Sequence, residues 1–404
     1  MSTFHRVIPD IADAGTSAQR MLALSAEVAG TRACLIEPVG GVHRLVGWLN
    51  LARSGEVMMP MQVAETCRRL GQRMGCALWD EELNMPFMRS INPVRFPPVQ
   101  LASTTISARG PVRVFLGVLT ADLSGAATRA AVAASPATIV GEVVYDIELD
   151  ATAVATMIAN SQADVIVIAG GYDRAAGDAL SAMQALVRTL AQALSRLPRS
   201  ARPVLIYAGS VQLAERTPLL VRAVDATLAI EVVENVLPIP DMVHRAALAR
   251  VLGYQYWRLT QRIIGFKEMA RWATSPGQPI TVETSFVQMM QAWAFHQSLP
   301  YLHGLYCSPL WWLHVWTGSA RQGAQLLFTD PGSRPESLDH WPPLALVSGD
   351  WPTDFWPRPA NAWWDKRGLA PVVAALGQVA PHAMMDVLEN DLLVVEALED
   401  GITG

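Results

Sequence analysis

The middle of the chain alternates between unbroken apolar runs and segments with helical spacing. "DVIVIAGG" and "RPVLIYAGS" are apolar runs that end in glycine turns, and "DATLAIEVV" follows them. Runs of this kind predict strands buried on both faces. The intervening "DATAVATMIANSQA" and "AAGDALSAMQALVRTLAQALSRL" predict helices, the second long and amphipathic. Strands alternating with helices predict an α/β fold with a mostly parallel sheet covered on both sides.

The flanks carry other patterns. "RACLIEPVGGVHRLVGWLNLA" reads as strand, Gly-Gly turn, strand. "MPMQVAETCRRLGQRMGC" places Val63, Cys67, Leu70 and Met74 at spacings of three and four, which predicts a helix. "VQLASTTIS", "VRVFLGVLT" and "ATIVGEVV" predict strands, with the helix "SGAATRAAVAAS" before the last. Residues 1–31 read as an extension with a helix from about Ser17 to Val28, and residues 79–96 read as a loop. Far downstream, "LWWLHVWTGSARQGAQLLFTD" reads as strand, glycine turn, strand. Residues 331–368, rich in proline and tryptophan, read as an irregular segment, and the end returns to helix with a short strand.

Bulk properties narrow the function classes. A chain of 404 residues, 51% hydrophobic, has room for two or three domains. A net charge of −5 gives no electrostatic footprint for nucleic acid. Cys34, Cys67, Cys76 and Cys307 form no CxxC pair, which fits a reduced, cytoplasmic protein. There is no N-terminal apolar h-region and no run of 18 uncharged apolar residues, so neither a signal peptide nor a membrane span is expected.

Several constellations could carry chemistry. In "IAGGYDRAAGD", Gly170 and Gly171 end a buried strand and permit close backbone approach, and the next helix offers its N-terminus to an anion. The structural alternative is a tight strand–helix turn capped by Asp173. His296, His303, Cys307 and His314 are spaced by seven, four and seven residues, which matches no standard zinc pair, so no metal is expected. Eleven of the 13 tryptophans lie from Trp257 onward. Of these, Trp341, Trp351, Trp356, Trp363 and Trp364 in the proline-rich segment are expected to form a partner or self-packing surface, because interface cores favour tryptophan. No GxSxG, Walker A, HExxH or GxGxxG motif appears, so no catalytic residue is assigned.

The order of motifs resembles one family. "DVIVIAGGYDRAAGDAL", a helix, "PVLIYAGS", "AIEVVENVLP" and two helices resemble the glutamate mutase-associated accessory proteins (MutL/GlmL). There a strand ending in Ala-Gly-Gly-Thr-Asp-Gly-Gly precedes a helix, a Pro-Val-x-x-Ala-Gly-Asn strand and an Asn-Val-x-Pro turn. "VQLASTTISARGPVRVFLGVLTADLSGAATRAA" is similar to the family's Ser-Ser-Ala-rich strand and the strand–helix unit after it. The resemblance runs from about Arg32 to Asp330, with "VLENDLLV" near the end. It implies an actin-like fold of two ribonuclease-H-like halves clasping ATP and Mg²⁺. It also implies a chaperone that reactivates a coenzyme-B12-dependent mutase. On this resemblance, residues 32–240 form the first ribonuclease-H-like domain. Residues 241–330 form connecting helices and a second phosphate hairpin, and 331–404 a Trp/Pro-rich and helical remainder of a reduced second half.

Both phosphate hairpins depart from the family pattern. The second normally runs Val-Asp-Val-Gly-Gly-Ala-Thr-Thr-Asp-Val. Here Trp316 stands at the first aspartate, Arg321 and Gln322 at the threonines, and Gly323 at the second aspartate, while Gly318 and Ala320 persist. In the first hairpin Glu37 takes the aspartate position, Pro38 lacks an amide donor, and Gly40 and Gly41 make the turn. Gly170, Gly171 and Asp173 persist from the family's Gly-Gly-x-Asp. The expectation is a non-catalytic actin-like protein that binds a protein partner, or itself, as a scaffold or assembly factor, without a cofactor. The alternative is an ATP-dependent mutase reactivator in which Glu37 holds Mg²⁺ and Arg321 reaches phosphate. Its nucleotide site would draw on Glu37, Gly40, Gly41, Gly170, Gly171, Asp173, Gly318 and Arg321.

Overall fold

Alternation with a period of two begins earlier than the Ala/Leu-rich N-terminal composition suggests. The computed structural model describes residues 19–39, 42–53, 58–275, 277–296, 298–300, 302–308, 310–318, 324–329 and 392–395. Where a helix was expected, Met21–Glu27 is strand β1, with Leu22, Leu24 and Ala26 buried on one face. Helix propensity is overridden because this alternation lets β1 pair on both edges. It runs antiparallel to β2 (Gly30–Val39) and parallel to β6 (Leu101–Ser107). β2 turns back into β3 (Val42–Ala52), giving the expected hairpin. Helix α1 (Met59–Met74) follows and buries Val63, Cys67 and Leu70. It stops at Gly75, whose φ of 65° is the left-handed conformation that a glycine C-cap supplies. A two-residue pair, β4 (Trp79–Asp80) and β5 (Met85–Pro86), punctuates the loop before β6. The sheet order is β3-β2-β1-β6.

The chain then builds a separate sheet. β7 (Val112–Val118) leads through a π-helical turn (Ala121–Gly125) into α2 (Ala126–Val132) and β8 (Ala137–Val144). α3 (Ala151–Ser161), β9 (Val165–Ala169), α4 (Gly177–Ser195) and β10 (Val204–Tyr207) follow. α5 (Val211–Ala214), α6 (Thr217–Val224), β11 (Ile230–Val232) and α7 (Ala246–Thr260) complete it. The order is β11-β10-β9-β7-β8 with every pair parallel, as the apolar runs predicted. Only three residues of "DATLAIEVV" pair as a strand. The first strand, β7, lies between the second and third, so the winding reverses between β7 and β9. Phe115, Ile166, Ile168, Leu186, Leu190 and Leu205 fill the core beneath α3 and α4.

α8 (Phe266–Trp272) returns the chain to the first sheet. The segment after it runs beside β6: Ile106 N–H donates to Ile280 O at 2.8 Å, Thr274 N–H to Ala102 O at 2.9 Å, and Ile280 bridges Thr105 in parallel. α9 (Val282–His296) precedes β12 (Leu302–Cys307), β13 (Trp312–Thr317) and β14 (Gln325–Thr329), an antiparallel meander. β15 (Leu392–Val395), within "VLENDLLV", pairs antiparallel with β12. Trp311 packs edge-on against Tyr256 of α7 and Phe328 of β14, with ring centroids 5.7 Å apart in each pair. Both four-stranded sheets share the order of a meander whose first strand takes a fourth partner beside it, but that partner is parallel in the first sheet (β6) and antiparallel in the second (β15).

The chain divides into two compact units. Among the described residues, one takes 19–108 and 264–282, and the other 109–263 and 283 onward. The junction at 108/109 falls inside the segment 32–240, which holds the parallel sheet and all of the mixed sheet but β1 and the start of β2.

Candidate functional site

The carboxyl ends of the parallel strands are where an open α/β sheet offers a site. β9 ends at Ala169, and Gly170 and Gly171 turn the chain, Gly171 with φ of 72°. A Cβ on Gly170 would lie 2.4 Å from Leu119 Cβ, so glycine is required by the approach of the β7 end. The structure brings Gly171 and Asp173 together with four residues beyond the neighbouring strand ends, Val211, Gln212, Asn235 and Pro238. Asn235 Nδ2 donates to both Gly171 O and Asp173 Oδ1 at 2.9 Å, and Asn235 is buried. Val211 N–H donates to Asp173 Oδ1 at 3.0 Å, so Asp173 caps α5 and not the helix that follows it in sequence. Gln212 Nε2 donates to Asp173 O at 2.8 Å, and Asp173 N–H to Pro238 O at 2.8 Å. Tyr207 donates its hydroxyl to Ser210 O at 3.0 Å, and burial pushes its phenol well above the ordinary value, so it remains a neutral donor. The turns after β9, β10 and β11 are thus knitted into one rigid edge.

Asn235 belongs to the "ENVLP" turn, yet its role was not visible in sequence, because its partners lie more than sixty residues away. The β7 end was also missed. Thr120 and Ser124 cap each other, Thr120 N–H to Ser124 Oγ at 3.0 Å and Ser124 N–H to Thr120 Oγ1 at 3.2 Å. Arg129 holds both carboxylate oxygens of Glu142 at 3.0 and 2.7 Å and donates to Ala121 O at 2.6 Å. This fixes the turn after β7 to the next strand.

The hairpin residues lie on other elements. Glu37 lies on β2, where Arg20 Nε donates to its Oε1 at 2.6 Å. Arg20 is buried, and its guanidinium also donates to Pro97 O. The Glu37 carboxylate is therefore engaged by a cation of its own unit. Trp316 lies on β13 between β12 and β14, its ring 4.4 Å from that of buried His314. Gly318 is buried just after β13. Gly40, Gly41, Arg321, Trp341, Trp351, Trp356, Trp363 and Trp364 lie outside the described residues, as do the side chains of His296, His303 and Cys307. Among the described residues no group of three or more His, Cys, Asp or Glu could hold a metal ion, and no helix is long and apolar enough to cross a membrane.

The family model described as MutL protein matches residues 80–296. That segment runs from β4 to the end of α9, so it contains the whole parallel sheet and neither hairpin. No curated protein and no solved structure matches the chain.

Proposed function

From the premise that the chain belongs to the MutL protein family, we propose that it is a non-catalytic glutamate mutase accessory protein, acting in the cytoplasm as a protein-binding scaffold or assembly factor. The observation that carries this reading is the 2.6 Å ion pair between Arg20 and Glu37. Glu37 is the carboxylate at the first hairpin's metal position in the family comparison, and a guanidinium already neutralises it. A Mg²⁺ ion would have to displace that cation from a partly buried pair in which Arg20 is the buried partner. Trp316, where the second hairpin would need an aspartate, supports the same reading, since an indole offers no metal ligand and no general base. The shared meander order of the two four-stranded sheets supports an actin-like duplicated fold. So does the return of the Ile280 segment to pair beside β6.

The test is calorimetric titration of the full chain with Mg-ATP and Mg-ADP, beside Arg20→Ala and Trp316→Asp. The expected result is no heat from the wild type. Micromolar binding, or a hydrolysis rate that Glu37→Gln abolishes, would overturn the reading in favour of an ATP-dependent reactivating chaperone of a coenzyme-B12-dependent mutase.

A further inference from the structure

The two ends of the parallel sheet differ in chemistry. At the amino end, the loops 108–111, 133–136, 162–164, 196–203 and 225–229 hold four arginines and two aspartates. Both aspartates are paired, Asp164 with Arg109 at 3.4 Å and Asp225 with Arg202 at 2.9 Å. At the carboxyl end, the loops 119–125, 145–150, 170–178, 208–216 and 233–245 hold nine carboxylates and three arginines. The same loops expose Leu123, Ile147, Val211, Ile239, Met242 and Val243, with Ile147 90% and Val211 60% accessible.

Apolar residues exposed singly need no explanation, but six fall on the segments that follow the strands at one sheet edge. They fall into two clusters. Leu123 and Ile147 stand beyond β7 and β8, and the other four beyond β10 and β11. Between them, beyond β9, stands the turn from Gly170 to Ala176, in which Gly170 is buried and Arg174 exposed. Five strands at about 4.8 Å spacing make an edge of about 19 Å, the length of a helix of about 13 residues. The edge is also pre-organised, because the Asn235, Asp173 and Arg129 bonds fix its loops before any partner arrives.

We propose that the carboxyl edge of the parallel sheet is a docking groove for a basic amphipathic helix of a partner protein. The apolar face of that helix would cover the two clusters, and its lysines or arginines would meet Asp122, Asp146, Glu148, Glu234 and Asp241. The charge of the edge selects the partner's sign, and its length matches one helix of about 13 residues. This inference rests on the binding-protein reading for its biological meaning, but not for its measurement.

The experiment uses the full chain and three synthetic 18-residue helices: Leu/Lys amphipathic, Leu/Glu amphipathic, and Ser/Lys without an apolar face. Fluorescence anisotropy is read at 50 and 500 mM salt. The Leu/Lys helix is expected to bind at least tenfold tighter than either of the others and to weaken at high salt. The triple variant Leu123→Ser, Ile147→Ser, Val211→Ser is expected to weaken it at least tenfold. Glu148→Lys with Glu234→Lys, both on exposed loop positions, is expected to favour the Leu/Glu helix instead, and Arg199→Ser at the opposite edge to change nothing. Equal binding of the Leu/Lys and Leu/Glu helices, or equal binding by the wild type and the charge-reversed variant, would overturn the proposal. Nucleotide binding in the separate titration would overturn the scaffold reading and leave this groove standing. Absent helix binding with absent nucleotide binding would do the reverse.

Discussion

Asn235→Asp is the sharpest probe of the knitted carboxyl edge. The substitution keeps shape and replaces an amide donor by an oxygen. The wild-type Nδ2 donates to Gly171 O and Asp173 Oδ1 at 2.9 Å, so the new oxygen would face two acceptors inside a buried site. Two ionised carboxylates about 3 Å apart repel by about 5 kcal/mol at an effective dielectric of about 20. Protonating one of them at pH 7 instead costs about 4 kcal/mol, from an unfolded value near 3.9 and about 1.4 kcal/mol per pH unit. The cheaper route wins, so the folded pair holds one proton at neutral pH. The sign follows: a carboxyl pKa raised in the folded state makes that state bind more protons, so the penalty shrinks as pH falls. Urea unfolding of variant and wild type should differ by about 4 kcal/mol at pH 7 and by about 1.5 kcal/mol at pH 5. Asn235→Ala loses the same hydrogen bonds without adding charge, and its deficit of about 2 kcal/mol should not change with pH. A variant as stable as wild type at pH 7, or a deficit as flat with pH as that of the alanine variant, would refute the geometry.

Three further outcomes are expected. Gly171→Ala forces a side chain onto a residue with φ of 72° and should cost about 1–2 kcal/mol in thermal or urea unfolding. Trp272→Phe removes the indole N–H bond to Asn84 O at 3.0 Å and weakens the edge-on contact with Trp79 at 4.9 Å. It should lower stability by about 1–2 kcal/mol without touching any binding at the parallel sheet. Burial raises the thiol pKa of Cys67 and of Cys34, so both should resist a thiol reagent in the folded chain and react on unfolding. Stability from keeping these thiols protonated is fully present below their unfolded value and is lost as pH rises beyond it, which a melting series from pH 7 to 10 reads.

Much of the fold could be read from periodicity. The unbroken runs at Val165–Ala169 and Val204–Tyr207 lie where predicted, because a strand covered on both faces leaves no polar alternation to misread. Helix α1 was legible from Val63, Cys67 and Leu70. The β1 strand was not, because Ala and Leu favour helix and the partners that override them, β2 and β6, start nine and eighty residues further on. The glycine pair at 170–171 stood out as a point of close approach, but the object approached, the Leu119 end of β7, belongs to a strand about fifty residues earlier. Asp173 reads locally as a cap for the next helix, whereas its carboxylate serves α5 across the sheet.

What the sequence determined by itself is the kind of element each segment forms and the family order of those elements, since spacing and apolar content act over a few residues. What only the tertiary structure decided is which ends meet. The pairing of Glu37 with Arg20, the reversal of winding between β7 and β9, and the convergence of Asn235 on Asp173 all depend on contacts between segments far apart in the chain. Local pattern does not fix such contacts, because the free energy that selects them comes from burying whole faces and satisfying buried polar groups together.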